Sequence, residues 1–244
     1  MKPFLILQLR PEDDAADGEY AAILAKGGLD RARSVRVRLE RDGLPGDLSL
    51  DDYAGVVVGG GPGCVSDAPE DKTVDEARAE AAMLSLMPKV TERDMPFMGC
   101  CYGIGILAHH LGAEVSKARY GEPVGAVACE VTDAGANDPL LRGLPRDFNA
   151  LVGHKEDVQT LPPGTVHLMS SQPCPFQMIR YGQNVYATHF HPEADGDVFA
   201  ERIRVYKNRG YFPPDAADSL TQAVYAADVS TPPDILRRFF KRYG

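Results

Sequence analysis

Asp94-Met95-Pro96-Phe97-Met98-Gly99-Cys100-Cys101-Tyr102-Gly103-Ile104-Gly105 predicts a short apolar strand that bends sharply into a helix, with a thiol at the bend. The spacing Gly99-x-Cys101-x-Gly103 is that of a nucleophile elbow. Glycines two residues to either side let the helix pack close to the strand and leave the central side chain open to a substrate. A thiol at a helix N-terminus also meets the positive end of the helix dipole, which favours the reactive thiolate. The plainer alternative is a buried cysteine closing a core strand, because free cysteine is among the most buried residue types.

On either side of this stretch, strand and helix alternate. Residues 4–9 form a continuous apolar run suited to a buried parallel strand. An acidic loop follows, then a helix over 19–26 stopped by Gly27-Gly28. Val35, Val37 and Leu39 alternate with Arg36, Arg38 and Glu40, the period of a strand near a sheet edge. A third strand over 54–58 runs into Gly59-Gly60-Gly61-Pro62-Gly63. Residues 70–93 read as helix, with Pro88 a kink or break, and the helix after the elbow covers 102–111, stopped by Gly112. The middle of the chain changes character: residues 122–132, 148–152, 166–171, 177–180 and 185–190 read as strands on short loops. Helices return at 197–208, 218–227 and 233–243. The expected class is α/β, a central mostly parallel sheet with helices on both faces, joined by antiparallel strands from the second half.

A formal charge of −9 over 244 residues and a pI near 5.2 argue against a nucleic-acid or anionic-membrane surface. Five cysteines, an odd number with two adjacent, show no CxxC pair and no zinc spacing, which suits a reducing cytoplasm better than a disulfide framework. The apolar run at 4–9 is too short for a signal segment, and no stretch approaches a membrane span. A soluble, cytoplasmic protein is expected.

Two further stretches carry chemistry. In Ala187-Thr188-His189-Phe190-His191-Pro192-Glu193, a strand delivers His191 into a turn fixed by proline, with a carboxylate two residues on. A cysteine nucleophile needs a base within reach, and the base needs a third group to orient its ring and stabilise the imidazolium. His191 and Glu193 suit those two roles, although a histidine at a strand end is more often structural. His189 and His191 on one strand face would also permit a metal pair; no third ligand stands at a suggestive spacing, so no metal is expected. The glycine loop at 59–63 lets the backbone approach a ligand and aim N–H groups at a developing oxyanion. It lacks the GK[ST] ending of a P-loop and the GxGxxG-then-helix pattern, which leaves a plain glycine-rich turn as the alternative.

Taken together and in order, Val58-Gly59-Gly60-Gly61-Pro62, Gly99-Cys100-Cys101-Tyr102-Gly103 and His189-Phe190-His191-Pro192-Glu193 resemble the class I (triad-type) glutamine amidotransferases over all but the C-terminal tail. His154-Lys155-Glu156-Asp157-Val158 with Leu161-Pro162-Pro163-Gly164 resembles the SHGD-x-V…LP-G segment of the domain that feeds ammonia to GMP synthetase. Ser170-Ser171-Gln172-Pro173-Cys174-Pro175 is similar to the strand-turn before the last catalytic strand. The resemblance implies a flavodoxin-like fold, a catalytic unit over residues 1–195, and a helical extension over 196–244 packed on the same domain with no role beyond packing or a partner surface. It implies Cys101 as nucleophile, His191 as general base and later acid, and Glu193 as the residue orienting it. Backbone N–H groups of Gly61 and Tyr102 become the oxyanion donors, and Gly60, Gly63, Gly105 and His154 the substrate-binding residues, with no cofactor and no metal. Cys100 is expected to point back into the sheet.

The implied reaction is hydrolysis of a glutamine or γ-glutamyl amide through a cysteine thioester, releasing ammonia or an amine from a small-molecule substrate. One departure stands out: the family continues its elbow as C-x-G-x-Q, and Gly105 occupies the glutamine position. A γ-glutamyl peptidase acting on glutathione-like compounds is therefore the alternative, and a redox-sensing cysteine protein the non-catalytic one. With no synthetase module in the chain, a separate synthase subunit is the expected partner of an ammonia producer. Oligomeric state stays open.

Overall fold

The computed structural model describes residues 1–244. In chain order the strands are β1 (Phe4–Gln8), β2 (Ser34–Arg38), β3 (Gly55–Val58), β4 (Phe97–Cys100), β5 (Val115–Ser116), β6 (Glu122–Val131), β7 (Asp147–His154), β8 (Asp157–Val158), β9 (Thr165–Ser171), β10 (Met178–Tyr181) and β11 (Val185–Thr188). The helices are α1 (Asp13–Gly27), α2 (Leu39–Asp42), α3 (Val74–Glu92), α4 (Tyr102–His110), α5 (Asp133–Asn137), α6 (Gly196–Tyr206), α7 (Ala217–Ala226) and α8 (Pro232–Tyr243).

Nine strands form one sheet in the order β2-β1-β3-β4-β11-β10-β9-β6-β7, and β5 pairs with β8 apart from it. The first five in that order run parallel, and from β11 onward each neighbour is antiparallel. This is the expected α/β architecture, with β2 at the edge. Because successive side chains of a strand point to opposite faces, β1 feeds two cores at once. Leu5 and Leu7 join Val56, Val58 and Phe97 against Met83, Met87 and Val90 of α3 and Ile104 of α4. Phe4 and Ile6 join Val57 and Met98 against Ile23 of α1 and Leu236, Phe239 and Phe240 of α8.

Three local expectations are corrected. The acidic segment before residue 19 is not a loop but the first turns of α1, where Asp13 and Asp14 sit at the positive end of the helix dipole. α3 runs unbroken through Pro88. Its start is fixed by a capping box, Thr73 accepting from the Glu76 N–H and Glu76 from the Thr73 N–H, and buried Met87 and Val90 keep one face in the core on both sides of the proline. Finally, β11 ends at Thr188, one residue before the histidines, because its partner β4 stops at the elbow. His189 and His191 therefore do not share a strand face.

The carboxyl ends of parallel strands are where α/β sheets place their crevices. Here β1 runs out to Arg10, β3 to the 59–63 loop, β4 to Cys101 and β11 to His191. Four distant segments thus meet at one end of the sheet.

Candidate active site

Cys101 sits between β4 and α4 with φ 54°, ψ −95°, a left-handed conformation that costs a non-glycine residue of order 1–3 kcal/mol and is held only where surroundings enforce it. Its N–H donates to Thr188 O at 2.7 Å, which ties the elbow to the end of β11. Tight packing explains the flanking glycines: a Cβ on Gly99 would lie 3.1 Å from the Gly103 backbone. Cys101 is half-buried, whereas Cys100 is buried within the core on the α1–α8 face. Two cavities meet at Cys101, a larger one that His191 also lines and a smaller one that it does not, with Gly61 lining both.

His191 is set by a bond from its N–H to Leu151 O at 3.0 Å, and its ring rests edge-on against Phe199 at 5.4 Å. The Nδ1–H donates to Glu193 Oε1 at 2.8 Å. Burial lowers the His191 pKa below the ordinary histidine value, with Arg202 and Arg10 adding to the effect and Glu193 opposing it. Burial alone would raise the Glu193 carboxyl, but His191 and Arg202 outweigh it and hold it well below the usual carboxylate range. Near neutrality the arrangement is a neutral imidazole backed by a carboxylate anion. The helix dipole does not win at Cys101: burial pushes its thiol up to about 11 against the pull of Arg10 and Arg202.

Behind this pair lies a charge network absent from the sequence-based expectations. Arg202 of α6 donates to Glu193 Oε1 at 2.8 Å and reaches Glu19 Oε2 at 3.4 Å. Glu19, fully buried, also accepts from Arg10 Nε at 2.7 Å, from Gln8 Nε2 at 3.1 Å and from the Gly60 N–H at 3.1 Å. One carboxylate thereby joins the glycine loop to the group that orients His191. A Cβ on Gly60 would lie 2.7 Å from both Arg10 NH2 and His191 Cε1, so this position must be glycine for the three segments to meet. A charge at the end of a buried strand, Arg10, and a carboxylate inside a helix, Glu19, were the available signals, since both types are rarely buried unless paired. Nothing in the sequence announced Tyr206, Tyr211 and Phe212, which line the larger cavity from the tail.

The remaining expected site residues fall as follows. Tyr102 opens α4, where the first N–H groups have no partner within the helix, and its hydroxyl donates to Glu80 at 2.7 Å. Gly63, Gly105 and His154 line the smaller cavity. Gly60 lines neither, its N–H being committed to Glu19. Where a Cβ on Gly105 would project, Glu156 Oε1 stands 3.0 Å away. That carboxylate accepts from the Val65 and Ser66 N–H groups at 2.8 and 2.9 Å and from the Ser66 hydroxyl at 2.7 Å. The missing side chain thus makes room for a carboxylate from the 154–158 segment.

His154 donates through both ring nitrogens, to Glu156 O at 2.9 Å and Glu122 Oε2 at 2.8 Å. Burial alone would lower its pKa, but the Glu122 hydrogen bond and the Asp157 charge raise it. His189 stacks on His154 at 4.3 Å and lies 2.7 Å from Asp157. Donor atoms of His154, Asp157 and His189, and of Glu122, His154 and Cys174, come within 4.8 Å of one another. The fold therefore gathers the further ligand types that spacing along the chain did not offer, although His154 already spends both nitrogens on hydrogen bonds.

No helix is long and apolar enough to cross a membrane. The chain is similar to a GMP synthase [glutamine-hydrolyzing] subunit from Thermoplasma volcanium, 30% identical over 194 residues covering 76% of this chain and 88% of the relative. It is also 30% identical over 169 residues to the GMP synthase [glutamine-hydrolyzing] of Thermosipho africanus, covering 66% of this chain but 29% of that longer protein. A crystal structure of a glutamine amidotransferase from Thermotoga maritima shares the fold with TM-score 0.78 at 18% identity, covering 100% of this chain and 98% of its own. The family model for "Glutamine amidotransferase class-I" matches residues 22–204, from α1 through most of α6 and across every motif at the end of the sheet. With that span matched, the chain belongs to the class I glutamine amidotransferase family.

Proposed function

We propose that the protein hydrolyses a glutamine or γ-glutamyl amide through a thioester on Cys101. One observation carries the proposal: Cys101, His191 and Gly61 face a single cavity, with His191 held by Glu193. Because the thiol and the imidazole are both neutral at rest, His191 takes the Cys101 proton as the sulfur attacks the amide carbon. The oxyanion that forms is held by the Gly61 and Tyr102 N–H groups, each donor of this kind being worth about 2–4 kcal/mol in the transition state. His191, now charged and stabilised by Glu193, passes its proton to the departing nitrogen, then activates the water that releases glutamate. In this reading the glutamyl head enters at the smaller cavity beside Gly63, Gly105 and His154, where Lys155 and Glu156 offer one charge of each sign to its α-carboxylate and α-ammonium.

In this proposal residues 1–195 carry the reacting groups, residues 196–244 pack on them as a helical extension that also walls the larger cavity, and the protein works in the cytoplasm without a cofactor. Relatives that are themselves one subunit of a GMP synthase support a separate synthase chain as the ammonia acceptor.

Incubation with glutamine, glutathione and a γ-glutamyl anilide, following ammonia, cysteinylglycine and aniline, tests the proposal. Release from at least one, with glutamate as co-product, is expected. No release from any, together with ready oxidation of Cys101, would favour a redox role instead.

The pH profile follows from the two shifts. His191 lies below its ordinary value of 6.5, so the base form survives under mildly acidic conditions and the acid limb of kcat/KM falls below pH 6.5. The Cys101 thiol at about 11 leaves the profile flat through neutrality. An acid limb centred above 6.5 would contradict the assignment of the base.

A further inference from the structure

Of the two cavities that meet at Cys101, His191 lines only the larger. The base that hands its proton to the departing nitrogen must lie on that nitrogen's side, so on the proposed reaction the larger cavity receives the departing amine. Its walls are not built for ammonia. Val124, Phe199, Ile203 and Phe212 present hydrocarbon, and Phe212 comes from the tail beyond the family match.

The cavity also has a sign. Arg10 and Arg202 line it and no aspartate or glutamate does, because Glu19 and Glu193 stand behind the guanidinium groups. Arg10 spends Nε on Glu19 and NH1 on the Tyr206 hydroxyl at 3.2 Å. Its NH2 makes no such bond and sits by the Gly60 α-carbon next to His191 Cε1. A guanidinium edge in a water-poor site is suited to a carboxylate.

We propose that this cavity is a subsite for an apolar α-amino acid, so that the preferred substrate is a γ-glutamyl dipeptide whose second residue is apolar. The proposal rests on the γ-glutamyl hydrolysis argued above. The Cys101 sulfur–carbon bond forms as the amide carbon–nitrogen bond breaks, and His191 protonates the nitrogen of the leaving amino acid. Water then splits the thioester, its proton passing through His191 to the sulfur, and glutamate leaves. One dipeptide and one water give two amino acids.

Steady-state kinetics with glutamine, γ-glutamylglycine, γ-glutamylphenylalanine and γ-glutamyl phenethylamide, which lacks the carboxylate, test this. γ-Glutamylphenylalanine is expected to exceed γ-glutamylglycine and the phenethylamide in kcat/KM by about 10–100-fold each, the range that apolar and charged subsite contacts supply. Phe212→Ala is expected to narrow the gap between phenylalanine and glycine substrates. Ile203→Val, a milder change, serves the same comparison should Phe212→Ala fold poorly. Equal rates for all dipeptides, or a preference for the phenethylamide, would overturn the subsite. Ammonia from glutamine with no dipeptide cleavage would overturn it while leaving γ-glutamyl hydrolysis intact; no turnover of any compound would remove both.

Discussion

Cys101→Ser is expected to lower γ-glutamyl hydrolysis by roughly 10⁴-fold or more, as loss of the nucleophile does in triad enzymes, while Cys100→Ala keeps turnover within a few-fold. The two thiols are neighbours in sequence and opposites in setting. Cys101 is half-buried at a left-handed bend and lines both cavities. Cys100 is 1% exposed, packed with Met98 and Val57, and its thiol is pushed well above the ordinary value by burial, then by Glu193 and Glu19. Turnover of a γ-glutamyl anilide, read beside mass spectrometry after an electrophilic glutamine analogue, checks both halves. Equal losses from the two changes, or an adduct on Cys100, would mean the wrong sulfur has been chosen.

Arg202→Met is expected to cost about 3–5 kcal/mol of stability, the penalty for removing one partner from a buried charge network. Glu193 and Glu19 are both fully buried, and Arg202 is the cation between them. The sign with pH follows from Glu193, whose folded pKa lies below the ordinary 4.5. Its contribution is present above pH 4.5 and lost as pH falls through the folded value. Without Arg202 the folded value rises, so less is contributed at neutral pH and acid unfolding begins at a higher pH. Denaturant unfolding at two pH values measures the effect. Glu193→Gln added to Arg202→Met should recover part of the loss, because the buried charge left without its cation then disappears while the amide oxygen can still accept from His191; a double variant no more stable than the single one would refute the network.

Much of the fold is legible because the central parallel strands carry their own apolar runs. The strands at 4–8, 55–58 and 97–100 are buried throughout, and such runs need no partner to be recognised. The three motif stretches could be read for the same reason, since each is continuous in sequence. The network behind them could not. Arg10, Glu19 and Arg202 lie on three separate elements, and only the sheet brings them together. The acidic start of α1 reads equally well as loop or as helix N-terminus, because acidic residues suit both. The tail carries no motif, yet Arg202, Tyr206, Tyr211 and Phe212 stand in the larger cavity.

The strand carrying Cys101 and the strand leading to His191 are immediate neighbours, with Thr188 opposite Cys100 at the centre of a nine-stranded sheet. Adjacent strands lie about 4.7–4.9 Å apart whatever their side chains, so the ladder itself serves as a ruler for the two segments. No loop has to close to bring them side by side. Both strands are buried throughout, so fraying at the surface helices leaves that spacing untouched.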